Sequence, residues 1–389
     1  MRVYSHRLKW KKILGISTMT AAAYWLFLLL QPPVLFEKKR FFNVTKIKKD
    51  ELYIYKDQKT GHMVLKKKPG DYTHFSLLQL TDIHLGGSYF SIKKDSKALF
   101  GVYQLLLKSK PDLVVVTGDL VYPALLSSFS FNNGNAARLF CELMEKAGIY
   151  WVITYGNHDT ELFATHNAQQ LTTLLKSYPH CLLYPEVGVY GRSNQVLELC
   201  NEDGTLNQAL ILMDSHSYHT FFQRTKYDYI RQEQVEWYEK KIELLKNREK
   251  TSISSMLFFH IPLKEVEEAW YMLNHSNDKK RVKHHFGSLG EKIACSHKRS
   301  LLFKRAVLLG STKAMFFGHD HLNHFSLTYD GIRLTYGRSI DYLAYPGIEG
   351  KIGHRGGTWI VIHKDSTFHI YPLDLEENKK KRSYSQKGM

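Results

Sequence analysis

Leu113-Val114-Val115-Val116-Thr117-Gly118-Asp119 decides how this chain is read. An unbroken β-branched run is apolar on both faces, as in a strand buried within a parallel sheet. Gly118-Asp119 then leaves a carboxylate at the strand tip, with no Cβ on the residue behind it. Similar writing recurs along the chain. Residues 75–80 run into Thr81-Asp82-Ile83-His84, 151–154 into Tyr155-Gly156-Asn157-His158-Asp159, and 256–259 into His260-Ile261-Pro262. A fifth block reads Gly318-His319-Asp320-His321. In open α/β folds ligands gather at the carboxyl ends of strands, so these distant blocks are predicted to converge in one crevice.

Each block taken singly is weak. Asp-x-His is commonly a solvated turn, Gly-Asp an ordinary strand end, and a lone His260 a satisfied core histidine. Their order and their shared place at strand ends give them meaning together. Asp82 and His84, two residues apart in an extended segment, would project to the same side and grip one ion. Asp119 would bridge two cations ~3.5–4 Å apart. Asn157 offers an uncommon neutral carbonyl ligand. The adjacent His158 is free to protonate a leaving alkoxide, with Asp159 expected to fix its tautomer. His319 and His321 alternate, so they would reach different metals. The candidate metal ligands are thus Asp82, His84, Asp119, Asn157, His260, His319 and His321, and the catalytic candidates are His158 and Asp159. This mixed N/O set suits two divalent cations, with Mn, Fe and Zn all eligible. Such a pair lowers the pKa of bound water toward neutrality and neutralises phosphate oxygens, which is phosphoester hydrolysis.

These blocks resemble the calcineurin-like metallophosphoesterases, whose motifs run Asp-x-His, Gly-Asp, Gly-Asn-His-(Asp/Glu), His and Gly-His-x-His. Phe258-Phe259-His260-Ile261-Pro262 and Gly318-His319-Asp320-His321-Leu322-Asn323 are most similar to the branch related to purple acid phosphatases. The resemblance implies an α/β fold (α+β in some schemes) built as a four-layer αββα sandwich, with a dinuclear site at the sheet edges. It also implies one metal on Asp82, His84, Asp119 and His321, and a second on Asp119, Asn157, His260 and His319. His158 would be the general acid or would stabilise the transition state. Gly118-Asp119-Leu120-Val121-Tyr122 matches the Gly-Asp-x-x-Tyr of true purple acid phosphatases, where the tyrosinate binds ferric iron. Those enzymes lack the histidine of Asp-x-His. With His84 in that position, Tyr122 is expected to pack behind the ligands.

Composition sets the frame. The 389 residues are 43% hydrophobic and 13% aromatic, enough for one large domain with a real core. A formal charge of +17, gathered in short lysine clusters, suits anionic lipid or phosphate-bearing substrates. Nucleic acid is not an expected partner, because no basic stripe is interleaved with stacking aromatics. The cysteines (Cys141, Cys181, Cys200, Cys295) have no metal-knuckle spacing; buried free thiols are the default, and a Cys181–Cys200 bridge is the alternative.

At the amino terminus, residues 13–30 form an apolar run behind Arg7, Lys9, Lys11 and Lys12. At ~1.5 Å per residue it nearly spans a bilayer core. Ala21 to Ala23 lie in mid-run rather than at a cleavage site, so an uncleaved transmembrane signal anchor is expected, with the domain outside the cytoplasm. The domain plan is a basic tail (1–12), the anchor (13–30), a juxtamembrane linker (31–70) with a lead-in strand at Tyr53-Ile54-Tyr55, the phosphoesterase domain (71–373) and a disordered basic tail (374–389). Within the domain, helices are predicted at 97–108, 136–147, 168–177 and 232–247. A polar loop is predicted at 275–288, and a strand-rich meander in the carboxyl third. The expected function is a membrane-tethered phosphomonoesterase. A phosphodiesterase or nuclease on the same site, and a degenerate binding protein, are the alternatives.

Overall fold

The computed structural model describes residues 18–24, 26, 34–39, 41–48, 51–70, 73–221, 224–275 and 280–375. The main elements, leaving aside single-turn helices and the helical 18–24, begin with β1 (Leu52–Lys56), β2 (Met63–Lys67), β3 (His74–Leu80), α1 (Ile92–Ser109), β4 (Leu113–Thr117), α2 (Asn133–Ala147) and β5 (Trp151–Thr154). Then come α3 (Ala168–Lys176), β6 (Gln195–Cys200), β7 (Leu206–Leu212), β8 (Tyr218–Phe221), β9 (Arg224–Tyr227) and α4 (Gln232–Glu249). The last stretch holds β10 (Ser255–Phe258), α5 (Lys264–His275), β11 (Val282–Ser288), α6 (Leu302–Leu309), β12 (Thr312–Phe317), β13 (His324–Tyr329), β14 (Ile332–Tyr336), β15 (Gly356–His363) and β16 (Phe368–Asp374).

Two sheets stack face to face. One has five strands in the order β16-β15-β3-β4-β5, the other nine in the order β1-β2-β6-β7-β10-β12-β14-β13-β11. Alternate residues of each central strand meet between them: Phe75, Leu77, Leu113, Val115 and Val152 face Leu210, Leu212, Met256, Phe258 and Phe316. The opposite residues of the smaller sheet (Leu78, Leu80, Val114, Val116, Trp151, Ile153) lie under α1, α2 and α3. Those of the larger sheet (Ala209, Ile211, Leu257, Phe259, Met315, Phe317) lie under α4, α5 and α6. Helices, sheet, sheet and helices make the four layers. A strand buried on both faces explains the unbroken apolar runs of β4, β5 and β10.

Three expectations are corrected. Residues 31–70 are not only a linker: β1 and β2 extend the larger sheet, β2 pairing parallel with β6. Leu65 is fully buried, and Lys67 is buried on Asp112 at 2.9 Å. Val34, Phe36 and Ile47 are buried among the helices over the smaller sheet. The loop predicted at 275–288 holds the edge strand β11, whose exposed face explains its polar, basic sequence. The carboxyl third is not a meander: β12 and β14 are parallel, with β13 returning outside β14, and β15–β16 cross to the other sheet. Cys181 and Cys200 are separate buried thiols. Among the described residues no helix is long and apolar enough to cross a membrane. The run at 13–30 lies largely outside them, with 18–24 helical and exposed. The tails at 1–12 and beyond 375 lie outside the described residues.

Candidate metal centre

β3, β4 and β5 are parallel neighbours, as are β10 and β12 in the other sheet. Their carboxyl ends lie at one edge, which the motif blocks stitch together. Asp82 N donates to Gly118 O (3.1 Å), His84 N to Asp119 O (3.1 Å) and Gly318 N to His260 O (3.1 Å). Gln79 Nε2 joins the two sheets at Phe317 O (3.1 Å). The segment after β3 is not extended as the Asp-x-His spacing assumed. Asp82 (φ 49°), His84 (φ 52°), Asp119 (φ 53°) and His319 (φ 84°) all take left-handed backbone. Such conformations cost roughly 1–3 kcal/mol each and persist where their surroundings over-determine them. The glycines of the motifs permit the closeness. A Cβ on Gly156 would lie 2.1 Å from Asp119 Oδ1, and one on Gly318 1.8 Å from Thr81 Oγ1.

All seven candidate ligands come together. Asp119 Oδ2 lies 3.2 Å from His84 Nε2 and also 3.2 Å from His260 Nε2. His260 Nε2 is 3.1 Å from Asn157 Oδ1 and 3.3 Å from His319 Nδ1. On the other side His321 Nε2 is 3.7 Å from Asp82 Oδ1. Three groups therefore have mutually close ligand atoms: Asp82–His84–His321, His84–Asp119–His158 and Asp119–His260–His319. The donor set fits a cation. His260 Nδ1 faces the Thr117 carbonyl at 2.8 Å, so a neutral ring must turn a bare Nε2 toward a carboxylate, an amide carbonyl and another imidazole. Four lone-pair atoms facing one another call for a proton or a metal ion between them.

The electrostatics say the same. Burial opposes the Asp119 charge, yet His260, His158 and His84 hold the carboxyl well below the usual range. Burial likewise opposes charge on His84, but Asp341 and Asp119 raise it well above the ordinary imidazole value. Against the same burial, Asp119 lifts His260 to about 9. His319 is depressed by burial and by the His260 charge. Protons on two of the histidines thus balance the carboxylates, as cations would.

The catalytic candidates part company. His158 is partly exposed, its backbone N–H donates to Asp119 Oδ1 (2.9 Å), and its Nδ1 pairs with Glu161 Oε1 at 2.7 Å. Asp159, expected to orient that ring, does something else. Its buried carboxylate accepts from the backbone N–H groups of Asp119 (2.9 Å), Gly156 (2.8 Å) and Val121 (3.1 Å). Desolvation and the Asp119 charge push it up to about 6. Asp159 is a brace for the metal loops, and Glu161 is the partner that sequence reading missed. No spacing rule marks it, because the turn at 159–161 is what brings it back. Tyr122 packs against His84 (ring centroids 5.1 Å) and His158 (4.6 Å), with its phenol pushed up to about 12 by burial. Arg338 pairs with Asp374. Tyr218, on the β8–β9 ribbon, accepts from Asn157 Nδ2 (2.9 Å), which leaves the amide oxygen facing the cluster.

Residues 75–323, more than half of the chain, match the family described as calcineurin-like phosphoesterase. Over 331 residues the chain is 28% identical to a protein of Arabidopsis thaliana named probable inactive purple acid phosphatase 28, covering 73% of this chain and 77% of that one. The phosphatase DCR2 of Saccharomyces cerevisiae is 27% identical over 330 residues, covering 78% of this chain and 52% of the yeast protein. A dimetal phosphatase from Danio rerio has the same fold, with a TM-score of 0.52 over 78% of this chain and 97% of that chain at 11% identity. With two layered sheets and this edge cluster, the chain belongs to the calcineurin-like phosphoesterase family.

Proposed function

We propose that this protein hydrolyses phosphomonoesters at a centre of two divalent cations. One would be held by Asp82, His84, Asp119 and His321, the other by Asp119, Asn157, His260 and His319. The observation that carries the reading is the single oxygen Asp119 Oδ2, equidistant at 3.2 Å from one histidine of each set. A bound pair supplies Lewis acidity toward phosphate oxygens and activation of water near neutral pH. The chain's own groups do the rest. Asn157, turned by Tyr218, presents a neutral carbonyl, so the second set carries less negative charge than the first. His158, anchored through Nδ1 to Glu161, keeps its other nitrogen for the departing alcohol and donates a proton there. The names of some relatives call them inactive; the complete ligand set of this chain supports catalysis here.

The test is an assay of the full chain, stripped and reloaded with Mn²⁺, Fe²⁺ or Zn²⁺, on p-nitrophenyl phosphate and on its bis ester. Metal-dependent monoester hydrolysis that disappears in Asp119→Asn supports the reading. Faster turnover of the bis ester would make it a phosphodiesterase, and two bound ions without turnover of either ester would make it a binding protein. The apolar run at 13–30 supports a membrane tether with the domain outside the cytoplasm, which carbonate extraction and protease protection of sealed vesicles would check.

A further inference from the structure

We propose that Asp341 is a positioning residue that sets the ring orientation and tautomer of His84 and His321 together, so that both offer Nε2 to one cation. The inference rests on the two-cation reading above. Asp341 Oδ2 lies 3.4 Å from His84 Nδ1 and 3.2 Å from His321 Nδ1. The opposite nitrogens of the same rings face the centre, His84 Nε2 toward Asp119 Oδ2 (3.2 Å) and His321 Nε2 toward Asp82 Oδ1 (3.7 Å). An imidazole can ligate through Nε2 only when its proton sits on Nδ1, and an acceptor beside Nδ1 keeps it there. Both Nδ1 atoms and this Oδ2 are buried and have no other hydrogen-bond partner, and one carboxylate oxygen has two lone pairs, enough to accept from both rings.

Asp341 is held to this task by everything around it. Its other oxygen, Oδ1, accepts from Leu343 N (2.6 Å) and Ala344 N (2.9 Å). Its carbonyl accepts from Nε of the buried Arg355 at 2.8 Å. The segment before it is laced to the tip of β3: Ile340 N and Ser339 Oγ both donate to Asp82 O at 3.2 Å. The aspartate therefore arrives in register with Asp82, the carboxylate grouped with the two histidines it orients.

This pinning makes asparagine a sharp probe. In Asp341→Asn the amide oxygen stays on the two backbone donors, since flipping would set NH₂ against two N–H groups. The amide NH₂ then faces both Nδ1 atoms and favours the tautomer with hydrogen on Nε2, which blocks ligation. Shape is kept and polarity is reversed.

Zn²⁺ binding to the metal-free full chain is measured by calorimetry for wild type and Asp341→Asn. Two ions bind the wild type, and the variant weakens one of them by about 10–100-fold while the other is unchanged. Independently of whether the variant folds, ¹⁵N-histidine spectra of the Zn²⁺-loaded wild type give a second readout: both rings carry hydrogen on Nδ1 and ligate through Nε2. Wild-type affinity at both sites in the variant, or ligation through Nδ1 of either ring, overturns the assignment of Asp341 alone. A wild type that binds no Zn²⁺ overturns the two-cation reading along with it.

Discussion

His158 and Asp159 are neighbours in sequence with separate roles in space. The imidazole of His158 is hydrogen-bonded at Nδ1 to Glu161 and packs on Tyr122, while the Asp159 carboxylate is spent on three backbone amides. Replacing His158 by alanine is therefore expected to lower kcat by roughly 10²–10⁴-fold while two cations stay bound. The loss should be larger for an alkyl phosphate than for p-nitrophenyl phosphate, whose phenolate leaves without a proton. Equal losses on both substrates would rule out proton donation. Asp159→Asn should act on stability instead. At least one of the three buried N–H donors loses its acceptor, for about 1–3 kcal/mol by denaturant unfolding. If that variant unfolded like the wild type but lost its pH dependence of turnover, Asp159 would be a catalytic partner after all.

Strand tips make the site, so changes in how the strands meet should be felt there. β4 and β5 converge where Gly156 passes the Asp119 carboxylate, and a methyl group has no room. Gly156→Ala is expected to displace Asp119, lose at least one cation in metal analysis and cost about 1–3 kcal/mol through overpacking. Retention of both ions would mean that the loop relaxes without moving the carboxylate. The other element-scale prediction concerns β1 and β2. A fragment starting at residue 71, where the sequence placed the start of the domain, strips both strands and bares the edge of β6. It should aggregate, whereas a fragment starting at 34 should remain soluble and unfold cooperatively. Equal solubility of the two would show that these strands only decorate the sheet. β1 alternates and is legible in sequence at Tyr53-Ile54-Tyr55, whereas β2 is buried at Met63, Val64, Leu65 and Lys67 and has no alternation to read. In sequence the lysines of 66–68 hid β2, because Lys67 looks like surface and is buried on Asp112.

For the molecule as a whole, the centre concentrates charge that protons must balance when metal is absent. His84 and His260 carry folded-state values above the ordinary 6.5, about 9 for His260. Their contribution is complete below pH 6.5 and is lost as pH rises through the folded value; for His260 alone it is roughly 3 kcal/mol. The depressed carboxyl of Asp119 works at the other end, its contribution being present above about pH 3.9 and lost on further acidification. Chelated protein should thus lose thermal stability between pH 7 and 9, and cation-loaded protein should not, because metal replaces the departing protons. Each ion at a concentration about 100 times its Kd adds about 2.7 kcal/mol. Parallel melting curves with and without chelator, flat and coincident across that interval, would contradict the charge balance described here.

What the sequence determined by itself was local. Apolar runs marked the strands buried on both faces, and Asp82, His84, Asp119, Asn157, His260, His319 and His321 stood where those strands end, because fold and ligation both act through residue type and short spacing. The helices of the first half were legible for the same reason. Only the tertiary structure decided which nitrogen of each imidazole faces the centre, that Glu161 rather than Asp159 fastens His158, and that Asp341 answers His84 and His321. Those pairings depend on angles and distances between chain segments that meet only after the two sheets stack, and no one-dimensional spacing encodes them.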